Sequence, residues 1–257
     1  MKLLTTSLIL LSACLAMTKA AAETFDHQHS TFSSLLADVV VVQGHQSRVD
    51  YPKLIGQRVR LDQYLASLSS VSRTEFDAFS SDQQLAFLIN TYNGYQLRQV
   101  IDNYPLKSIK DVGSFFSSPW SKDFFKLFYE PASLNFVEHE LIRQLFKEPR
   151  IHFAVNCASI SCPPIQPEAF VASSLDAQLD AAAVNFLSDR QANYLDGNTL
   201  YLSKIFDWYE EDFGGSVVTF VSGFWPELLQ ESASGVAQNP AKLKVAYAPY
   251  DWNLNAH

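Results

Sequence analysis

The stretch SDQQLAFLINTYNGYQLRQVI, residues 81–101, constrains this chain more than any other. Placed at about 100° per residue, its apolar side chains fall nearly all the way round a helix. Such a helix lies inside a protein, and the other elements must be built around it. Ser81-x-x-Gln84 reads as a capping box at its start. Tyr104-Pro105 stops it, because the residue before a proline is pushed out of the helical region. Asn90 and Asn93 sit within the apolar run, and Gly94 follows at a cost of about 1 kcal/mol relative to alanine. Buried amides need partners. The pattern therefore predicts close approach of another backbone or of a site, with a structural polar network as the alternative.

A second helix is expected over about Leu134–Phe146, with Ser133 as its N-cap. Its apolar stripe is Leu134, Val137, Leu141, Ile142 and Leu145, and Glu138 falls near the middle of that stripe. A carboxylate there needs a cation or hydrogen-bond donors, since burying an unpaired charge costs several kcal/mol. Arg150 and His152 are the nearest candidates, while His139 and Arg143 form an i,i+4 pair on the flank. Beyond Pro149, RIHFAVNC is predicted as a strand. Alternation puts His152, Ala154 and Asn156 on one face and Ile151, Phe153, Val155 and Cys157 on the other. Cys162 stands outside it, before the rigid Pro163-Pro164 turn.

The thiols of Cys157 and Cys162 have four chemical fates open to them. A zinc site would combine the Cys157-x4-Cys162 spacing with His139 and His152, but that second pair is irregular and the strand reading points its His and Cys apart. A disulfide would close a small loop and stabilise modestly. Cys157 also suits core packing beside Ile, Phe and Val. As a nucleophile, either cysteine needs a base and a group that orients the base. His139 or His152 could serve as base, with Glu138, Asp207 or Asp212 as orienter. No metal and no cofactor are expected.

Further along, residues 173–188 read as an amphipathic helix, 198–203 as a strand after an Asp196-Gly197 turn, and KIFDWYEEDFGG as a helix ending at Gly214. A last helix or turn is expected over 216–231, with Pro226 inside it, and KVAYAPYDW as a closing strand. Residues 111–132 are aromatic and turn-rich, suited to a hairpin or a loop over a cleft. Helices come mostly first and strands later. That is an α+β pattern of helices packed on a small, mostly antiparallel sheet.

The N-terminus begins MKLLTTSLILLSACLAMTKAAAETF. Lys2, an apolar run too short for a bilayer span, and Ala20-Ala21-Ala22 read as a cleaved signal peptide over residues 1–22. Leu11-Ser12-Ala13-Cys14 also has the form of a lipoprotein box, so a lipid anchor at Cys14 is the alternative to a soluble periplasmic or secreted protein. Residues 23–48 read as a tail and first helix around Thr31–Val42, with His27, His29 and His45 as surface residues, and 49–257 as one domain. Losing residues 1–22 removes Lys2 and Lys19, leaving 17 basic and 27 acidic residues and a net charge near −10. That balance argues against nucleic acid as partner and leaves a small molecule or peptide. No transmembrane span is expected in the mature chain.

FLINTYNGYQL, SLNFVEHELIR, RIHFAVNCASISCPP, YLSKIFDWYEEDF and YDWNLN, taken together and in this order, resemble the domain of unknown function 547 family. The resemblance runs from about Val49 to Asn255, with Leu88 where the family often has tryptophan. It implies a distant relation to papain- and transglutaminase-like cysteine hydrolases, whose chemistry lies in a groove between helices and a small sheet. On that expectation the protein is an envelope hydrolase or acyl transferase acting on amide or thioester bonds. Cys157 or Cys162 would be its thiol, His152 or His139 its base and Glu138 its orienter, with Arg150 balancing the buried acid. The competing expectation is a non-catalytic binding or scaffold module, in which Asn90, Asn93, Glu138, His139, Arg150 and His152 form a structural network or ligand pocket. In papain-like enzymes the nucleophile opens the buried helix. Here that helix carries Asn90 and Asn93 instead.

Overall fold

A computed structural model describes residues 25–113, 117–224 and 243–257. The signal-peptide and Cys14 readings, and the part of the 216–231 helix that holds Pro226, lie outside these residues. The long buried helix is α5, Ser81–Asn103. Its cap is one residue earlier than the sequence reading. Ser80 Oγ accepts from Gln83 N, and the Gln83 side chain accepts from Ser80 N. Every residue from Leu85 to Leu97 is buried.

Around α5 stand α1 (Ser30–Val39), α2 (Tyr51–Gly56), α3 (Arg58–Ser70) and α4 (Arg73–Asp77). The first helix stops at Val39 because Val40–Gln43 turns into β1, which pairs antiparallel with β2 (Gln46–Val49). Phe32, Leu35, Leu36 and Val39 of α1 are buried in the same core as Leu61, Leu65 and Leu68 of α3. The first helix is thus part of the main core. His29, expected at the surface, is buried, and its Nδ1 lies 2.7 Å from the Tyr64 hydroxyl.

The glycine in α5 has a steric cause. A Cβ at Gly94 would lie 3.0 Å from Leu65 Cδ2, so α3 packs closely here. The two amides bind passing backbone. Asn90 donates to Phe170 O and accepts from Phe170 N, at 2.7 and 3.0 Å. Asn93 donates to Ala154 O and accepts from Asn156 N, at 2.9 and 2.8 Å. Each asparagine therefore acts as a strand-like partner for a short piece of passing backbone, and the piece held by Asn93 leads into the loop of the two cysteines.

The aromatic segment after α5 forms a 3-10 turn at Ile109–Val112 and a hairpin of β3 (Phe125–Leu127) and β4 (Glu130–Ala132). The expected Leu134–Phe146 helix is a π-helix over Phe136–Ile142, followed by a short α6 (Arg143–Leu145). Ser133 Oγ accepts from Phe136 N, as a cap would.

The strand expected over 150–157 does not form. Pro149–Phe153 is a 3-10 helix. Glu148 caps it by accepting from Arg150 N, and Pro149 supplies a preset φ at its first position. Residues 151–156 are all buried, so no two-faced alternation applies.

The second half contains α7 (Leu175–Leu187), preceded by a 3-10 turn at Ala172–Ser174. The β5 (Tyr194–Asp196) and β6 (Thr199–Leu202) hairpin turns at Gly197, whose φ of +57° favours glycine. Parallel to β6 runs β7 (Lys244–Tyr247). Between them lie α8 (Ile205–Trp208), a 3-10 turn at Glu210–Phe213 and α9 (Val217–Phe224). A smaller apolar cluster built on Phe153, Phe186, Phe206 and Phe213 fills this half. The architecture is α+β, with small and mostly antiparallel sheets. No helix of the described residues is long and apolar enough to cross a membrane.

Candidate functional site

Between the two halves lies a pocket of about 140 Å³. Its lining includes Glu138 and His139 from the π-helix, His152 from the 3-10 turn, and Cys157 and Cys162 from the loop that follows. The sequence reading separated His152 from Cys157 by strand face. The 3-10 turn instead brings both to one cavity.

The two cysteines are joined as a disulfide, with their Cα atoms 6.0 Å apart. Cys157 N–H also donates to Cys162 Sγ at 2.7 Å. Cys157 Sγ lies 3.2 Å from both Ser159 Oγ and Tyr250 Oη. Burial pushes the Tyr250 phenol well up, so it stays protonated and able to donate to sulfur. Among the described residues no group of three or more His, Cys, Asp or Glu could hold a metal ion.

His152 is 2 % exposed. Its Nε2 lies 2.7 Å from Asp212 Oδ2, while its Nδ1 is buried without a hydrogen-bond partner. The same carboxylate takes a two-pronged contact from Arg143, through Nε at 2.6 Å and Nη2 at 3.0 Å. The His152 bond, and then the Arg143 bonds working against desolvation, hold Asp212 well below the usual carboxylate range. Arg143 also reaches Glu211 at 2.5 Å and His139 Nδ1 at 3.2 Å.

Glu138 has neither of the partners the sequence proposed for it. It is 5 % exposed and accepts from Tyr209 Oη at 2.6 Å, with the Tyr92 phenol facing its charge. Burial first, and the Glu138 charge second, raise both phenols far above their ordinary range, so both remain donors. Arg150 turns away to Glu148 at 2.5 Å, Asp176 at 2.9 Å and Asp180 at 2.5 Å. The reason is local, since Glu148 sits two residues away and already caps the same turn. Asn90 and Asn93 do not line the pocket.

The sequence reading singled out none of the aromatic residues that wall this cavity. Trp120, Trp208 and Trp252 line it with Tyr92, Tyr209 and Tyr250. Tyr209 stacks on His152 at 4.0 Å, and Trp252 lies 4.5 Å from Tyr250 and 5.5 Å from Trp208. A signal was present. Tyr92, Trp208, Tyr209, Tyr250 and Trp252 all fall within the quoted stretches FLINTYNGYQL, YLSKIFDWYEEDF and YDWNLN.

Fold and site thus define an α+β protein whose aromatic pocket is lined by a buried glutamate, a disulfide and a histidine that Asp212 holds from outside the lining. The family model described as "Protein of unknown function, DUF547" matches residues 76–187. The stretch carries α5, Glu138, His139, His152 and both cysteines. Neither curated proteins nor solved structures gave a match.

Proposed function

We propose that this pocket performs thiol chemistry on an acyl group, as a hydrolase or acyl transferase of amide or thioester bonds, and that the disulfide is its resting oxidised state. One observation carries the reading. His152 is fixed through Nε2 by Asp212, its Nδ1 is unpartnered, and both cysteines line the same cavity. A base and a thiol in one pocket, with a carboxylate behind the base to orient it, are the components of a covalent acyl-transfer site.

An external dithiol supplies two electrons and two protons, becomes a disulfide itself, and leaves Cys157 and Cys162 as thiols. His152 Nδ1 takes the Cys157 proton, and the thiolate adds to the acyl carbon. The amine or thiol leaves with the proton from the imidazolium, leaving a thioester on Cys157. Water or an acceptor amine then releases the acyl group. Cys157 is assigned the attack because the Tyr250 and Ser159 hydroxyls surround its sulfur and favour the charged form. The nucleophile thus comes from the loop after His152 and not from the buried helix. The export signal read at residues 1–22 fits this state, because disulfides persist outside the cytosol. On this reading the protein works in the periplasm or outside the cell, with a lipid anchor at Cys14 as the alternative.

The test is alkylation of the reduced, folded protein by iodoacetamide at neutral pH, followed by peptide mass spectrometry. Preferential labelling of Cys157, slowed in His152→Ala, is expected. Equal, slow labelling of both cysteines only after unfolding would sink the proposal. It would favour the non-catalytic binding module, a reading that the joined cysteines and the structural use of Asn90, Asn93 and Arg150 also support.

A further inference from the structure

We infer that the pocket recognises an alkylammonium group. The inference rests on the acyl-transfer reading, and names the charged part of that site's substrate. Glu138 is buried at the cavity wall, where it accepts from the Tyr209 phenol at 2.6 Å and lies near that of Tyr92. No lysine, arginine or histidine of the described residues pairs with it within ion-pair distance. A buried carboxylate without a cation is costly, and two neutral donors offset that cost only in part. The opposite charge must then come from what binds.

The rest of the wall suits such a group. Tryptophan and tyrosine faces attract cations through their ring quadrupoles, and an aromatic cage with a carboxylate is the usual way a protein holds an alkylated ammonium. Trp252 demonstrates the attraction within the molecule, with Lys110 Nζ 3.8 Å from its ring centre. Lys110 is not among the lining residues, and neither is Arg143, whose guanidinium is tied to Asp212 and Glu211. The cavity of about 140 Å³ is of the size that takes a benzene-sized group, so it fits one ammonium head and not a whole peptide.

The test uses the full chain in its oxidised form, so that no thiol chemistry contributes. Tryptophan fluorescence is titrated with choline, with n-butylamine at neutral pH, and with 3,3-dimethylbutan-1-ol, the uncharged isostere of choline. Saturable changes with the two cations, and binding of the alcohol weaker by about tenfold or more, are expected. The choline and butylamine arms separate alkylated from primary ammonium ligands. Glu138→Gln keeps the shape and should weaken cation binding by about tenfold while leaving the alcohol unchanged. Trp208→Ala, at a residue 46 % exposed, should fold normally and weaken both cations. Equal affinity for choline and its isostere, or no saturation by either cation, would overturn the inference. Cys157→Ser separates the two proposals, because it must lose the thiol reaction yet keep cation binding.

Discussion

Asp212 joins two groups that the sequence leaves 69 and 60 residues away, Arg143 and His152. Its lowered pKa sets a sign. The carboxylate stabilises the fold above the ordinary carboxylate range, and that contribution is lost as pH falls through the lowered folded value. Asp212→Asn should therefore cost about 2 kcal/mol at pH 7 in urea denaturation, with the gap from wild type closing in strong acid. In the reduced protein it should also slow alkylation of Cys157, because a free imidazole can rotate. Asn93→Ala should cost about 3 kcal/mol in the same assay, since it leaves Ala154 O and Asn156 N buried and unpaired. At this scale the sequence names most of the polar residues and offers Asp212 among the orienters of a histidine, as found at His152, but it gives Glu138 the wrong partners. Glu138 was matched to Arg150 by nearness in the chain. Pairings that span tens of residues depend on packing, which residue spacing does not carry.

The buried helix α5 was the most legible element, because an all-round apolar run, a cap and a proline stop agree. Two variants probe it. Ser80→Ala should lower stability by about 1 kcal/mol through loss of the cap. Gly94→Val should cost about 2 kcal/mol, because its branches would press on Leu65 in a filled core. Thermal and urea unfolding check both. The 3-10 turn at Pro149–Phe153 was the least legible. IHFAV is apolar enough for a strand, but a segment buried on every side loses the two-faced pattern by which strand and turn are told apart. Glu148 and Pro149 were the local clue, a capping acid followed by a residue with a fixed φ. That one misreading put His152 and Cys157 on opposite faces and hid the pocket.

Across the whole molecule, the N-terminal segment is fastened by His29. Its ring is buried against Tyr64, and desolvation lowers its pKa to about 4. The unfolded chain binds a proton near pH 6.5 while the folded chain does not until about pH 4. Stability should thus fall by about 3 kcal/mol between those values, and His29→Asn should flatten that slope. Asparagine tolerates the left-handed φ of +48° found there. Denaturation midpoints across pH 4–7 decide it. Residues 253–256 act at the same scale. Asn253 bridges to Ser108, Leu254 to Ser159 and Ala256 to Val49, while the Tyr51 hydroxyl donates to Asn255 Oδ1. This lacing fixes Tyr250 and Trp252 beside the disulfide, although the family match ends at residue 187. An excised 76–187 fragment would therefore carry both thiols and both histidines without Asp212, Tyr209 or the Trp208–Trp252 wall. The pocket is not modular: grafted into another scaffold, that stretch would bring the cysteines and histidines without the wall that encloses them.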